Sequence, residues 1–382
     1  MGWRAVALVA TLVAAGCMGD DEPPAPPAAA PPAAAPPGTT TVAETAPAPP
    51  RVRFPPARGI VVPRGFRAEI YARGLSRPTA MAYGPGGRLY VTEETGRVVS
   101  VRPRSSRPRV LAAGFPTPLG LAWRGRTLFV SAQGRVQRMR LEDGRAVSRR
   151  TILSGLPFGL HQQDNIVVAD DGRLFLGSGS TCNACAENDL RSATILSFRP
   201  DGTDLRIVAS GLRNPFGLAL HPESRRLYVS VNSRDDLPSP SSPEPAEMLV
   251  RIEQGADYGW PACWPSARRQ QLVGDCRGVE EPVAYLEAHS SADGFAFSTG
   301  EAFPERYRGG IFIALWGQYD SQRYGRRVDY VELNEDGSRG AVKPFADGFD
   351  HPLAAAVDPL GALLVADWGR GVIYRIQARN EP

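Results

Sequence analysis

Lysine is all but missing from this chain: Lys343 is the single copy, and arginine supplies the rest of the 44 basic residues. That choice reflects genomic base composition more than any partner. Basic runs are missing too. The formal charge of +4 arises from interspersed Arg, Asp and Glu with no basic block, which argues against nucleic-acid binding. Long apolar runs are equally scarce. The stretch from Ala5 to Ala15, preceded by Arg4, falls short of the ~20 residues that a membrane-spanning helix needs. Helical periodicity is absent throughout, so no helix is expected.

What is present is one pattern used six times between Gly74 and Ile376. Each copy runs Gly-apolar, a Pro or polar pair, an apolar-Ala-apolar triplet, then Gly-x-Leu-aromatic-Val. The copies begin GLSRPTAMAYGPGGRLYVTE at Gly74, GFPTPLGLAWRGRTLFVSA at Gly114 and GLPFGLHQQDNIVVADDGRLFLGS at Gly155. They continue with GLRNPFGLALHPESRRLYVSV at Gly211, a degenerate SADGFAFSTGEAFPERYRGGIFIAL at Ser291, and GFDHPLAAAVDPLGALLVAD at Gly348. Short strands and Gly/Pro turns at a period of about 40 residues predict a propeller. The expected fold is all-β, with six blades of four strands each. Asp143-Gly144, Asp201-Gly202 and Asp336-Gly337 mark tight turns ending the outermost strands. The segment Phe66 to Tyr71 is expected to supply the outer strand that closes the ring. A propeller carries its chemistry on loops around a central channel, and inserted loops mark the binding face. Candidates are Asn232 to Ala246 and Asp257 to Ser290. Two copies depart from the pattern: one carries His161, the other Arg213-Asn214-Pro215.

The ends divide the chain into three expected parts. Residues 1–16 have the length and small-residue ending of a signal peptide, and Ala14-Ala15-Gly16-Cys17 resembles a lipoprotein cleavage box in which Cys17 takes the lipid. Ordinary secretion is the alternative, and either places the mature protein outside the cytoplasm. Residues 17–50, nearly all Pro, Ala and Thr after a short acidic start, cannot bury enough surface to order themselves. Such a tether could reach roughly 90 Å. Residues 51–382 hold the propeller. Five cysteines become four if Cys17 is lipidated. Cys182 with Cys185, and Cys263 with Cys276, are then expected as two local disulfides in an oxidising compartment. The alternatives are a tetrahedral zinc site built from all four and a redox-active Cys-x-x-Cys.

Gly211-Leu212-Arg213-Asn214-Pro215, Tyr258-Gly259-Trp260-Pro261, and His161 with Asn165 four residues on together resemble the glucose/sorbosone dehydrogenases. These are soluble pyrroloquinoline-quinone (PQQ) sugar-dehydrogenase propellers. His289-Ser290 and Tyr307-Arg308-Gly309-Gly310 resemble the sorbosone branch. The resemblance implies that His161 is the general base, that Arg213 and Asn214 contact the cofactor, and that Arg327 stands where relatives carry a cofactor-touching Lys. It implies Ca²⁺ bound by the loop matching Asn232 to Asp235 with Glu247 as acidic partner. The implied substrate is an aldose or sorbosone-like sugar, with electrons leaving to an external acceptor. Removing a hydroxyl proton as hydride leaves carbon suits a neutral imidazole, and the planar fork of Arg suits carboxylates. Oxygen donors suit Ca²⁺.

Each residue also has a plainer role open to it. His161 could hydrogen-bond Asp164 or a backbone carbonyl, Arg213 could bridge blades, and Tyr258 to Pro261 reads as a packed turn. Asp235, Asp236 and Glu247 read equally as solvated loop charges. His221 and His351, each before Pro, read as surface turns. The chain departs from the family at Glu94, where Arg is common, and at Leu315 to Ser321, where the sorbosone branch has Leu-His-Gly-Ser-Trp-Asn-Arg. A metal-dependent lactonase on a similar propeller, or a non-catalytic lipoprotein binding a partner or glycan, are the competing functions. The first needs several carboxylates converging on one ion, which the blades do not offer at matching positions.

Overall fold

The computed structural model describes residues 53–379, apart from 237, 238, 240, 243 and 320. The expectations for residues 1–50, Cys17 among them, lie outside the described residues. Six four-stranded antiparallel sheets follow one another along the chain. Their inner strands are Pro78–Tyr83, Gly120–Arg124, Gln163–Val168, Asn214–Leu220, Ala292–Phe297 and Pro352–Val357. Each of these touches the inner strands before and after it, and the last returns to the first. This is a six-bladed β-propeller. Apart from two single 3₁₀ turns, the described residues contain no helix.

The alternation read from the sequence buries each blade on both faces. Six hydrophobic clusters result, one between each pair of neighbouring blades. Around the channel the blades meet backbone to backbone. A Cβ on Gly217 would lie 2.4 Å from the Asp293 carbonyl oxygen of the next blade, and one on Gly120 would lie 2.7 Å from that of Asp164. Hydroxyls stitch the same seams. Thr79 donates to the Pro118 carbonyl at 2.6 Å, Ser230 donates to that of Asp293 at 2.6 Å, and Ser131 donates to that of Asp164.

Ring closure follows the expectation. Phe66–Ala72 pairs antiparallel with Val372–Ala378, so the first strand among the described residues completes the last blade. The buried Arg375 locks this seam through Asp358 at 2.6 Å and Glu69 at 3.2 Å. The Asp-Gly turns join third strands to fourth strands, one step earlier than the sequence suggested. Blade four departs most. Its outer strand is only Ala284–Tyr285, reached after an inserted hairpin, Cys263–Ser266 with Gln271–Gly274. All four propeller cysteines form the two expected disulfides, Cys182–Cys185 and Cys263–Cys276, which removes them as zinc ligands.

Candidate active site

In an antiparallel blade the start of the inner strand and the end of the second strand lie at the same end. The unusual residues of the repeat collect there. The chain from Leu160 to Gln162 runs back along Gly179 to Thr181: Leu160 N donates to Thr181 O, His161 N to Ser180 O and Gly179 N to Gln162 O. Ser180 N in turn donates to Arg213 O at 2.7 Å, tying blade three to blade four. Strand register then sets Asn214 opposite Asn232. The result is a cavity of about 470 Å³ at one mouth of the channel, lined by His161, Arg213, Asn214, Asn232 and Glu247, with Asp235 at its edge.

Gly179 permits this crowding. A Cβ there would fall 2.5 Å from His161 Cβ and 2.9 Å from Asn214 Oδ1. The His161 ring does not reach Asp164; its Nδ1 meets Ser180 Oγ at 2.9 Å. Burial lowers the His161 pKa to about 3, helped by the Arg213 charge and opposed by a hydrogen bond to the Ser180 backbone. The imidazole is therefore neutral at physiological pH, the form a proton acceptor requires.

Arg213 is 3% exposed, and its guanidinium is gripped from two sides. Nε donates to Asn183 O at 3.0 Å, while one terminal nitrogen donates to Asn183 Oδ1 at 2.7 Å and to Asp235 Oδ2 at 2.5 Å. The Asp235 carboxylate is 64% exposed. It marks a place where a carboxylate sits on this fork. Asn183 was not singled out from sequence. Its position between the two cysteines, just past the strand Leu174–Ser178, was the available signal.

Glu247 is no solvated loop charge. It is 4% exposed, and its carboxylate accepts the backbone N–H of Ser233 at 2.5 Å and of Ser291 at 3.2 Å. Burial pushes its pKa up to about 8, although those N–H groups and Arg213 pull the other way. Asp164 in blade three and Asp293 in blade five, both buried, are raised well above the usual carboxylate range, first by burial and then by nearby acids. Beside them, Asn214 Oδ1, Asn232 Oδ1 and Ser233 Oγ are buried without a protein partner.

The far side of the mouth is aromatic. Trp316 packs edge-on to Tyr319 at 4.5 Å and to Trp368 at 5.7 Å. Glu94 accepts the Trp368 indole N–H at 3.1 Å and pairs with Arg77, which lies over that indole. Two expectations change here. His351 is buried, its ring 4.2 Å from that of Trp316, because it immediately precedes an inner strand beneath this aromatic rim. Arg327 does not line the cavity; it pairs with Glu287 and Asp329, each at 2.7 Å. Its neighbour Arg326 points the other way and donates to the carbonyl of the cavity residue Gln318. His221 keeps its turn role, its Nδ1 accepting the N–H groups of Glu223 and Ser224. His289 joins the cavity wall, with Nε2 3.3 Å from Glu244.

The model of the glucose/sorbosone dehydrogenase family matches residues 126–336, more than half of the chain. The chain belongs to that family. A curated relative, aldose sugar dehydrogenase from Escherichia coli (strain K12), is 25% identical over 194 residues, covering 48% of this chain and 47% of the relative. Two solved structures share the fold. One is a calcium structure of a Trichoderma reesei carbohydrate-active enzyme of family AA12, with TM-score 0.73 and 18% identity over 86% of this chain and 98% of that one. The other is the holo form of the pyranose dehydrogenase PQQ domain from Coprinopsis cinerea, with TM-score 0.72 and 17% identity over the same shares. The channel mouth of this chain carries an imidazole, a guanidinium and two amides. Among its described residues, no helix is long and apolar enough to cross a membrane.

Proposed function

We propose that the protein is a PQQ-dependent oxidoreductase that oxidises an aldose or sorbosone-like sugar outside the cytoplasm and passes electrons to an external acceptor. The observation that carries this is the neutral, half-buried His161 beside Arg213 and Asn214 in one polar cavity. The two disulfides favour an oxidising compartment. Lipid attachment at Cys17, with residues 17–50 as tether, is the proposed mode of anchoring, with plain secretion as the alternative.

The cavity suits the group. PQQ is a tricarboxylate quinone, and when bound it supplies the hydride acceptor, with Ca²⁺ polarising its carbonyl. Arg213 would meet a cofactor carboxylate where Asp235 now sits, and Asn214, whose buried Oδ1 lacks a partner, would complete the polar contacts. Arg327 is held by Glu287 and Asp329, whose carboxylates balance its charge behind the wall. For Ca²⁺, the oxygens of Asn232, Asp235 and Glu247 offer the hard donors that the ion prefers. The unpartnered Asn232 Oδ1 and Ser233 Oγ lie in the same wall. His161 is the proposed catalytic residue. It takes the proton of the substrate hydroxyl, and a positioned base of this kind is typically worth about 10²–10⁴-fold in rate. Trp316 and Tyr319 offer apolar faces for a sugar ring and narrow the access of water.

The test is direct. Purified protein receives PQQ and Ca²⁺, and dye reduction is followed with a panel of aldoses and sorbosone. Turnover, with a perturbed quinone absorbance, is expected. No turnover and no spectral change would overturn the dehydrogenase reading. With turnover established, His161→Ala should retain quinone affinity and lose most of its rate.

A further inference from the structure

Ser180 is fully buried and stands between the imidazole and a short disulfide-closed loop. Its Oγ lies 2.9 Å from His161 Nδ1 and 2.7 Å from the carbonyl oxygen of Cys182. A serine hydroxyl carries one proton, and a carbonyl carries none. At 2.7 Å the two oxygens attract only if Ser180 donates to Cys182. The hydroxyl proton is thereby committed, and Oγ can offer His161 only a lone pair. Nδ1 must then carry the ring proton.

We infer that Ser180 is a positioning residue that locks His161 in the Nδ1–H tautomer, leaving the Nε2 lone pair free to take a proton in the cavity. Among the described residues, the side-chain partner of the ring is met through Nδ1, and the ring lines the cavity. The opposite tautomer would require Ser180 to turn its proton to Nδ1. That would leave Ser180 Oγ and the Cys182 carbonyl facing each other with no proton between them, in a buried place. An unmade buried hydrogen bond of that kind biases an equilibrium on the order of tenfold to a hundredfold.

The loop holds the carbonyl in place. Cys182 is bridged to Cys185, and Glu187 grips Thr181 through its backbone N–H and its hydroxyl, both at 2.6 Å. Asn183, in the same loop, clamps Arg213. One covalently closed turn therefore sets both the proton on the base and the aim of the guanidinium. The orienting partner is a neutral hydroxyl, so it fixes the tautomer without adding negative charge beside a site that must receive an anionic cofactor.

The consequence for catalysis rests on the dehydrogenase reading, but the tautomer itself does not. The chain has four histidines, so ¹⁵N-histidine labelling of the intact protein resolves the rings, with His161→Gln to assign the signal. Two-bond ¹⁵N–¹H correlation spectra between pH 5 and 8 should show His161 protonated at Nδ1 and bare at Nε2. Ser180→Ala, which keeps only the backbone acceptor beside the ring, should weaken that preference, and Ser180→Thr, which keeps the hydroxyl, should restore it. A wild-type ring protonated at Nε2, or a Ser180→Ala spectrum unchanged from wild type, would overturn the inference. In protein loaded with PQQ and Ca²⁺, Ser180→Ala should lower kcat about tenfold with quinone affinity unchanged. If the wild type turns over no sugar, the dehydrogenase reading fails while the spectra still decide the tautomer.

Discussion

Gly179→Ala adds a single methyl group where the candidate site is tightest. The new carbon would sit 2.5 Å from His161 Cβ, 2.9 Å from Asn214 Oδ1 and 3.1 Å from Gln162 O. Ordinary carbon–carbon contact is about 3.5–4.0 Å, so something must yield by on the order of 1 Å. None of the three atoms is the loose end of a long side chain. Two belong to cavity-wall residues, and the third is a backbone acceptor already used by Gly179 N. Overpacking of this kind costs typically about 1–3 kcal/mol, read as a lower urea midpoint at an unchanged slope. A displacement of about 1 Å at a base can also cost ~10²-fold in rate. The expected variant is folded, destabilised by about 1–3 kcal/mol, and far more impaired in turnover than in stability. A midpoint within ~0.3 kcal/mol of wild type together with full turnover would refute the reasoning, because it would mean that the His161 shelf is not close-packed.

Other outcomes follow from the same geometry. Glu247, neutral in the folded protein up to about pH 8 and ionised above about pH 4.5 when unfolded, binds a proton only in the native state between those limits. Its contribution is therefore full below pH 4.5 and is lost as pH rises towards 8. In chelator, Glu247→Gln should flatten that decline in a urea titration across pH 5–8.5, and curves parallel to wild type would count against a buried carboxyl. Arg375→Met leaves Asp358 and Glu69 without their shared cation at the ring seam. Loss of about 3–5 kcal/mol is expected, and a calorimetric shift below 1 kcal/mol would place the strength of closure elsewhere. Because burial holds His161 neutral down to about pH 3, the acid limb of kcat/KM should show no inflection near the ordinary histidine value of 6.5; an inflection there would show that the free enzyme's base is solvated.

Much of the architecture was legible because it is local and repeated. Period-two alternation, glycine turns and the Leu-aromatic-Val strands located all six blades, and Phe66 to Tyr71 was placed correctly as the closing strand. The disulfides were legible from spacing alone. The site was only partly so. His161, Arg213 and Asn214 stood out as breaks in a repeat, and the fold brings them into one cavity. Ser180 and Asn183 act through hydrogen bonds between segments 19 to 30 residues apart, which no local pattern encodes. Arg327 shows another limit. Arg326 stands just before the strand Arg327–Leu333 with a left-handed backbone (φ +56°), so a local turn that no alternation predicts sends Arg326, not Arg327, towards the mouth. His351 and Glu247 resembled surface residues because a turn and an insertion flank them. Their burial comes from Trp316 in blade five and from the backbone of Ser233 and Ser291.

Closure by the first strand also has a consequence in time. Glu69 and Arg375, which meet at the seam, are 306 positions apart. During synthesis, Phe66–Ala72 emerges before every other described strand and finds its partner only when Val372–Ala378 arrives. Until then blade six is incomplete, and an apolar strand waits with an unpaired edge, the kind of surface that invites aggregation. The ring is thus an all-or-nothing structure whose weakest moment is just before completion. Non-local pairing of this sort is slow, so the exposure lasts.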